Sequence, residues 1–202
     1  MRFLFRLLYR EIAWSYDLVS KIVSLGHWRE WQRVTMRYTH GPRLLELAFG
    51  TGNLLLDWYE AGVTPVGIDL SPQMVRIAAR KLRVRGRPLA LVQGRAQLLP
   101  FANETFDGIV STFPAEFIWQ RSLLPEVERV LRSGGRFVVV MGVFMTGRDL
   151  LSRFIEWLYT ITGQRSPLPA IEGLIHPDGF SLRWEHVSGD DWLAVVLVGE
   201  KV

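Results

Sequence analysis

The sequence predicts an α/β fold: an open sheet of seven strands, five of them parallel and closed by a C-terminal antiparallel hairpin. Helices cover both faces, and a helical extension precedes the sheet. Three observations carry this. From residue 43 onward, short apolar runs alternate with helical patterns, the mark of βαβ units. The first run, Leu44-Leu45-Glu46-Leu47-Ala48, passes through Phe49-Gly50-Thr51-Gly52 into a segment that can be helical. Glycines in such a strand–turn–helix unit let a ligand approach bare backbone and aim a helix N-terminus at it. Near the C-terminus, two strand-like runs flank Gly189-Asp190-Asp191, and strands joined by so short a turn must be antiparallel.

Each element follows in order. Arg2, Arg6 and Arg10 recur at a spacing of four, with Leu4, Leu7, Leu8 and Ile12 on another face. Two readings of residues 1–12 stand side by side: an interfacial helix on anionic lipid, or a terminal helix packed on its own domain. Further helix is expected over 14–40, broken near Ser24-Leu25-Gly26, with Trp28, Trp31 and Val34 at helical spacing for the core. His40-Gly41-Pro42 turns the chain into the sheet. Strands are expected near 43–48, 64–69, 88–93, 106–111 and 135–142, with helices near 52–61, 72–84, 121–132 and 148–162. Ser71-Pro72 suits an N-cap followed by a first helical residue, and Ser133-Gly134-Gly135 a helix stop and turn. After the loop at Ser166-Pro167-Leu168-Pro169, the hairpin strands are expected over 180–187 and 192–198. Residues 1–202 make a single domain, with a helical cap over 1–40 and a core over 41–202.

Composition narrows the chemistry. With no cysteine, the chain has no disulfide, no thiolate metal site and no cysteine nucleophile. Its four histidines show no metal-ligand spacing, so no metal is expected. The longest apolar run, Phe137 to Met145, is nine residues, whereas a membrane span needs about 20. The arginine-broken start is a poor secretory signal, so a cytoplasmic chain is expected, peripheral to a membrane if residues 1–12 touch one. A net charge of +4 favours anionic partners. The basic run Arg76, Arg80, Lys81, Arg83, Arg85, Arg87 reads as a solvated helix end toward the sheet edge, and nucleic acid is not favoured.

Ligands of open α/β sheets bind beyond the carboxyl ends of the strands. Four such ends converge here: Glu46 to Gly52 after the first strand, Asp69 at the second, Gly94-Arg95-Ala96-Gln97 after the third, and Ser111-Thr112-Phe113-Pro114 after the fourth. Asp69 lies about 20 residues beyond the glycines, where an acid can accept ribose hydroxyls. A pyrophosphate-binding turn needs a third glycine where Leu55 stands, and Glu46 would repel a pyrophosphate. A nicotinamide-dependent oxidoreductase is therefore the weaker reading, and a cationic nucleotide-like ligand the stronger one.

Leu45 to Gly52, Val66-Gly67-Ile68-Asp69-Leu70-Ser71-Pro72-Gln73-Met74, Leu99-Pro100-Phe101 through Ser111, and Arg129 to Gly135 together resemble the class I S-adenosylmethionine-dependent methyltransferases, with their Rossmann-like sheet. Tyr16-Asp17-Leu18, Ser24-Leu25-Gly26, Arg29, Trp31 and Arg33 resemble the opening of the ubiquinone/menaquinone C-methyltransferases, whose branch includes the bacterial phosphatidylethanolamine N-methyltransferases. The resemblance implies S-adenosylmethionine as cofactor, S-adenosylhomocysteine as product, and a small or lipidic acceptor, a quinone precursor or a phospholipid amine. It places Glu46, Ala48, Phe49, Gly50, Gly52, Asn53, Asp69, Leu70, Met74, Ala96, Gln97, Thr112 and Phe113 around the cofactor. Within that set, Glu46 faces the methionine amino group, Asp69 the ribose, and Leu70 and Met74 the adenine. Tyr16, His27 and Glu116 are the candidates on the catalytic, acceptor side. Each of the three also reads as an ordinary packing or surface residue, as does His176. Ala48 stands where the family's first glycine falls, and Arg95 where an acid meets the adenine amino group. A non-catalytic cofactor-binding protein on the same fold is the alternative those two departures leave open.

Overall fold

A computed structural model of the chain describes residues 20–21, 24–147 and 179–202. The expected helices at 1–12 and 148–162, with Tyr16 and His176, lie outside the described residues. Seven strands form one sheet: β1 (Leu44–Leu47), β2 (Val66–Asp69), β3 (Leu91–Gln93), β4 (Phe106–Thr112), β5 (Leu131–Met145), β6 (Phe180–Ser188) and β7 (Trp192–Lys201), in the order β3-β2-β1-β4-β5-β7-β6. The five strands from β3 to β5 pair in parallel, and β7 pairs antiparallel with both β5 and β6. This is the predicted closing hairpin. Its three-residue turn is pinned by Gly189 N–H donating to the Trp192 carbonyl at 2.9 Å.

All four residues of β1 are buried, as expected of a parallel strand covered on both faces. Two apolar layers flank the sheet. One gathers Trp31, Val34, Leu54, Trp58, Val140 and Trp192, and the other Ile68, Ile109, Leu123, Val127, Val139 and Leu197. Trp31 and Val34 come from α1 (Trp28–Arg33) and the 3-10 turn Val34–Arg37 that follows it, so the N-terminal segment is part of the core. Helices α2 (Asn53–Glu60), α3 (Pro72–Val84) and α4 (Leu123–Val130) fall close to their predicted spans. Ser71 caps α3, its Oγ accepting from the Met74 N–H, with Pro72 at the first helical position.

The junction of α4 and β5 departs from expectation. The helix ends at Val130, and β5 begins at once. Ser133-Gly134-Gly135 is not a helix stop but an irregularity inside the strand pairing, where the register moves from Phe106↔Leu131 to Gly108↔Arg136 and Gly134 takes φ +72°. The extra residues loop out without ending the strand, as a β-bulge does.

Candidate functional site

Strand order reverses between β1 and β4, and the crevice of an open parallel sheet opens at their carboxyl ends. Ser111 Oγ ties the two strands there, donating to the Leu47 carbonyl at 3.1 Å. Beyond β1 the chain enters left-handed backbone three times, at Ala48 (φ +55°), Gly50 (φ +57°) and Gly52 (φ +76°). A Cβ on Gly50 would meet nothing within 4 Å, whereas one on Gly52 would stand 2.9 Å from the Ala78 Cβ. Gly50 therefore faces open space on the ligand side, and Gly52 lets α2 close on α3. Ala48 holds its conformation against its own side chain. Such backbone costs an L-residue about 1–2 kcal/mol, and glycine's greater freedom when unfolded returns roughly 0.4–1 kcal/mol of that. Ala48→Gly is thus expected to stabilise the protein by about 0.5–1 kcal/mol, a rise in Tm of about 2 °C by calorimetry.

Three acids surround this turn. Glu46 is buried, and its Oε2 has no hydrogen-bond partner. Burial pushes its carboxyl well above the ordinary value, and the charges of Asp69 and Asp57 push the same way. Asp69 is also raised by burial, against the opposing pull of two backbone donors. Gly50 N–H donates to its Oδ2 and Ser71 N–H to its Oδ1, each at 2.8 Å, so one carboxylate joins the β1 and β2 turns. A buried carboxyl oxygen without a partner, with the acid Asp69 beside it, has the electrostatics of a site for a cation.

A cavity of about 120 Å³ lies alongside, lined by Ala48, Ile68, Asp69, Leu70, Gly94, Arg95, Ala96, Gln97, Phe117 and Gln120. The structure thus brings together Ala48, Asp69, Leu70, Ala96 and Gln97 around one cavity. Two side chains of the set turn inward. Phe49 packs with Leu55 and Ala78, and Met74 is fully buried. From there Met74 seats α3. Asn53 opens α2, with its Oδ1 accepting from Lys81 Nζ at 2.7 Å. A larger concavity of about 460 Å³, lined by Glu104, Glu128, Arg129 and Lys201, lies at the opposite, amino-terminal edge of the strands. Its cations are spent on structure: Arg129 bonds Glu126 and the carbonyls of Leu99 and Phe101, and Lys201 bonds those of Glu128 and Leu131.

On the other side of the β4 end, Thr112 Oγ1 accepts from Gln32 Nε2 at 3.3 Å. Phe113, at φ +49°, stacks on Trp28 with ring centroids 4.6 Å apart and planes at 32°. His27, expected on the acceptor side, sits between Glu30 and Asp191, with Nδ1 at 2.8 Å from Glu30 Oε2 and Nε2 at 3.6 Å from Asp191 Oδ1. The start of α1 thus lies beside the β6–β7 turn. Glu116 begins the 3-10 turn Glu116–Trp119 that flanks the cavity, and its side chain lies outside the described residues.

Sequence reasoning missed Asp57. Its buried carboxylate on α2 accepts from Arg29 and Arg33 of α1, the latter at 2.6 Å, and Glu60 draws both arginines further. Asp57 holds the Arg33 guanidinium above its usual range, chiefly through this hydrogen bond. The pairing fastens the N-terminal segment to the helix that starts at the glycine turn. Its signal was present: an acid inside the apolar face Leu54-Leu55-Leu56-Asp57-Trp58 must find a partner, and Arg29 and Arg33 share one face at a spacing of four.

Residues 45–139 match the family model of a methyltransferase domain. The chain is 37% identical over 221 aligned positions to the demethylmenaquinone methyltransferase of Thermus thermophilus, covering 96% of this chain and 100% of the relative. It is 34% identical over 185 positions to the ubiquinone/menaquinone biosynthesis C-methyltransferase of Syntrophotalea carbinolica, covering 89% and 75%. The solved structure of a possible histamine N-methyltransferase from Thermotoga maritima superposes with a TM-score of 0.65 at 21% identity, over 98% of this chain and 99% of that one. At that identity the likeness is one of fold.

Proposed function

Because this chain belongs to the class I S-adenosylmethionine-dependent methyltransferases, we propose that it methylates a ring carbon of a quinone precursor. The supporting observation is the buried Glu46 carboxyl with its unpartnered oxygen at the β1 end, which suits a cationic cofactor, together with the Trp28–Phe113 ring pair at the β4 end, which suits a flat acceptor. The relatives that align along most of the chain are named a demethylmenaquinone methyltransferase and a ubiquinone/menaquinone biosynthesis C-methyltransferase, which favours a ring carbon over a phospholipid amine.

S-adenosylmethionine, when bound, supplies an electrophilic methyl group on a sulfonium. The chain's own residues then bind, orient and exclude water. Glu46 and Asp69 offer carboxylates to the cofactor's cationic amino group and its ribose, and Gly50 offers bare backbone. Leu70, Ala96 and Gln97 line the cavity for the adenine. Trp28, Phe113 and Thr112 face the acceptor, where a ring face attracts a neighbouring cation by about 0.5–2 kcal/mol. No protein nucleophile is needed, because alignment of donor and acceptor supplies roughly 7–11 kcal/mol in well-oriented reactions.

The test supplies methyl-labelled cofactor with a short-chain demethylated naphthoquinol under reducing conditions, and phosphatidylethanolamine vesicles as the competing acceptor. Label on a ring carbon of the quinol is the expected result. Label on the amine instead, or on neither while the cofactor binds, would overturn the quinone reading.

A further inference from the structure

The charge of this chain is not spread evenly. Between Leu70 and Asn103 there is no acidic residue, while seven of the 24 basic residues fall there: Arg76, Arg80, Lys81, Arg83, Arg85, Arg87 and Arg95. That stretch carries +7, and the remainder, with 17 basic and 20 acidic residues, carries −3. It comprises α3, the edge strand β3 and the loops at either end, so one margin of the molecule holds more positive charge than the whole.

The same margin is apolar as well as basic. Of the seven large hydrophobic side chains exposed among the described residues, Leu70 lines the cleft and three more belong to this margin: Val84, Leu89 and Leu98, with Val84 81% and Leu98 76% exposed. On α3 the residues Met74, Ala78 and Leu82 face the core. Arg76, Arg80, Arg83 and Val84, at spacings of four and three, occupy the opposite face and are exposed. Arg85 and Arg87 continue the stripe into the turn, ending beside Leu89.

Ordinary structural needs cover little of this. Favourable contact with the helix dipole reaches only the last turn, which accounts for Lys81 and Arg83 and not for Arg76 or Arg80. Like charges four apart cost a helix about 0.2–0.5 kcal/mol, and no acid offsets them here. Protection of an exposed sheet edge would put charge on β3 itself, which reads Leu91-Val92-Gln93. Lysine or arginine interleaved with exposed leucine and valine is the chemistry of a surface that rests on anionic lipid, where the cations meet headgroups and the apolar side chains enter the acyl boundary. Nucleic acid would use the cations and leave the aliphatic side chains unexplained.

We infer that the α3–β3 margin, centred on Arg76, Arg80, Arg83, Val84 and Leu89, docks the protein on an anionic bilayer surface. Among the described residues no helix is long and apolar enough to cross a membrane. The contact is therefore peripheral, and it does not call on residues 1–12, where the sequence also suggests lipid. It does not depend on which acceptor is methylated.

The test is co-sedimentation of the full chain with vesicles of neutral phosphatidylcholine, alone or with phosphatidylglycerol. Binding is expected to the anionic vesicles only, and to weaken in high salt. Each basic residue near such a surface changes partition about fivefold. R76E/R80E/R83E should therefore lose binding by at least about 100-fold, and V84S/L89S should lose a smaller share. Both variants should keep the thermal midpoint and S-adenosylhomocysteine affinity of the parent; Arg95 stays intact because it lines the cleft. Should the triple variant misfold, R80Q/R83Q serves in its place, with a loss of at least tenfold expected. Unchanged binding by the arginine variants, equal binding to neutral vesicles, or loss only when Arg2, Arg6 and Arg10 are reversed would overturn the inference. Salt-sensitive association with a DNA or RNA duplex that survives V84S/L89S, without vesicle binding, would do the same.

Discussion

Glu46→Gln is expected to raise the melting temperature near neutral pH and to weaken S-adenosylmethionine binding about 100-fold. Both effects come from one buried group. In the folded protein the Glu46 carboxyl is held well above its ordinary value near 4.5 by burial first, then by Asp69 and Asp57. A group raised on folding contributes stability that is complete below its unfolded pKa and is lost as pH climbs through the folded one. The parent should therefore lose stability as pH rises from about 5, and the glutamine variant should lose less. The gap in melting temperature between the two then widens toward pH 8, by about 2–4 °C for each kcal/mol.

Binding runs the other way. A cationic amino group beside Glu46 favours the ionised carboxylate, so cofactor uptake should release a proton and tighten with pH across the same window. Breaking a buried charge pair from one side costs about 2–5 kcal/mol, and 100-fold lies within that range. Isothermal titration in two buffers of different ionisation enthalpy would register the proton, and melting curves from pH 5 to 8 would register the stability. Equal cofactor affinity in the two proteins would remove Glu46 from the site.

The order of elements was legible because its signals are local. Leu44-Leu45-Glu46-Leu47 is too short for a helix and too apolar for a loop. Ser71-Pro72 marks a helix start by its own chemistry, and Gly189-Asp190-Asp191 leaves room only for a hairpin. The glycine turn was legible for the same reason, since its backbone demands sit in consecutive residues. What escaped depended on partners distant in sequence. Asp57 looked like one polar residue in an apolar helix until α1 laid Arg29 and Arg33 over it. Phe49 and Met74 looked like ligand contacts because they flank motif residues, yet the close approach of α2 and α3 to the sheet turns both side chains into the core. Gly134 looked like a stop because glycine after a helix commonly is one, and only the pairing with β4 shows the strand running through it. His27 stood beside the right helix, but its partner Asp191 comes from the far hairpin, which no nearby residue announces.

Asp69→Ala is expected to weaken cofactor binding by at least 100-fold and also to lower stability, and the two losses can be told apart. The Asp69 carboxylate accepts the Gly50 N–H through one oxygen and the Ser71 N–H through the other. It thus fixes the glycine turn relative to the start of α3 while keeping lone pairs for a ribose. A hydrogen bond to a charged group contributes about 1.5–3 kcal/mol, but burial has already raised this acid above its ordinary range. Relief of that desolvation offsets part of the loss, leaving a net cost of about 1–2 kcal/mol for alanine. Asparagine divides the two roles. Its single carbonyl oxygen can still accept one of the backbone donors, while its amide cannot accept a second bond or carry charge. Its amide nitrogen must also face one of the two backbone N–H groups, so Asp69→Asn should recover part of the stability and little of the affinity. If asparagine instead restores binding along with the melting temperature, Asp69 is a turn-holding residue alone, and the ribose must be held by another group at the carboxyl edge.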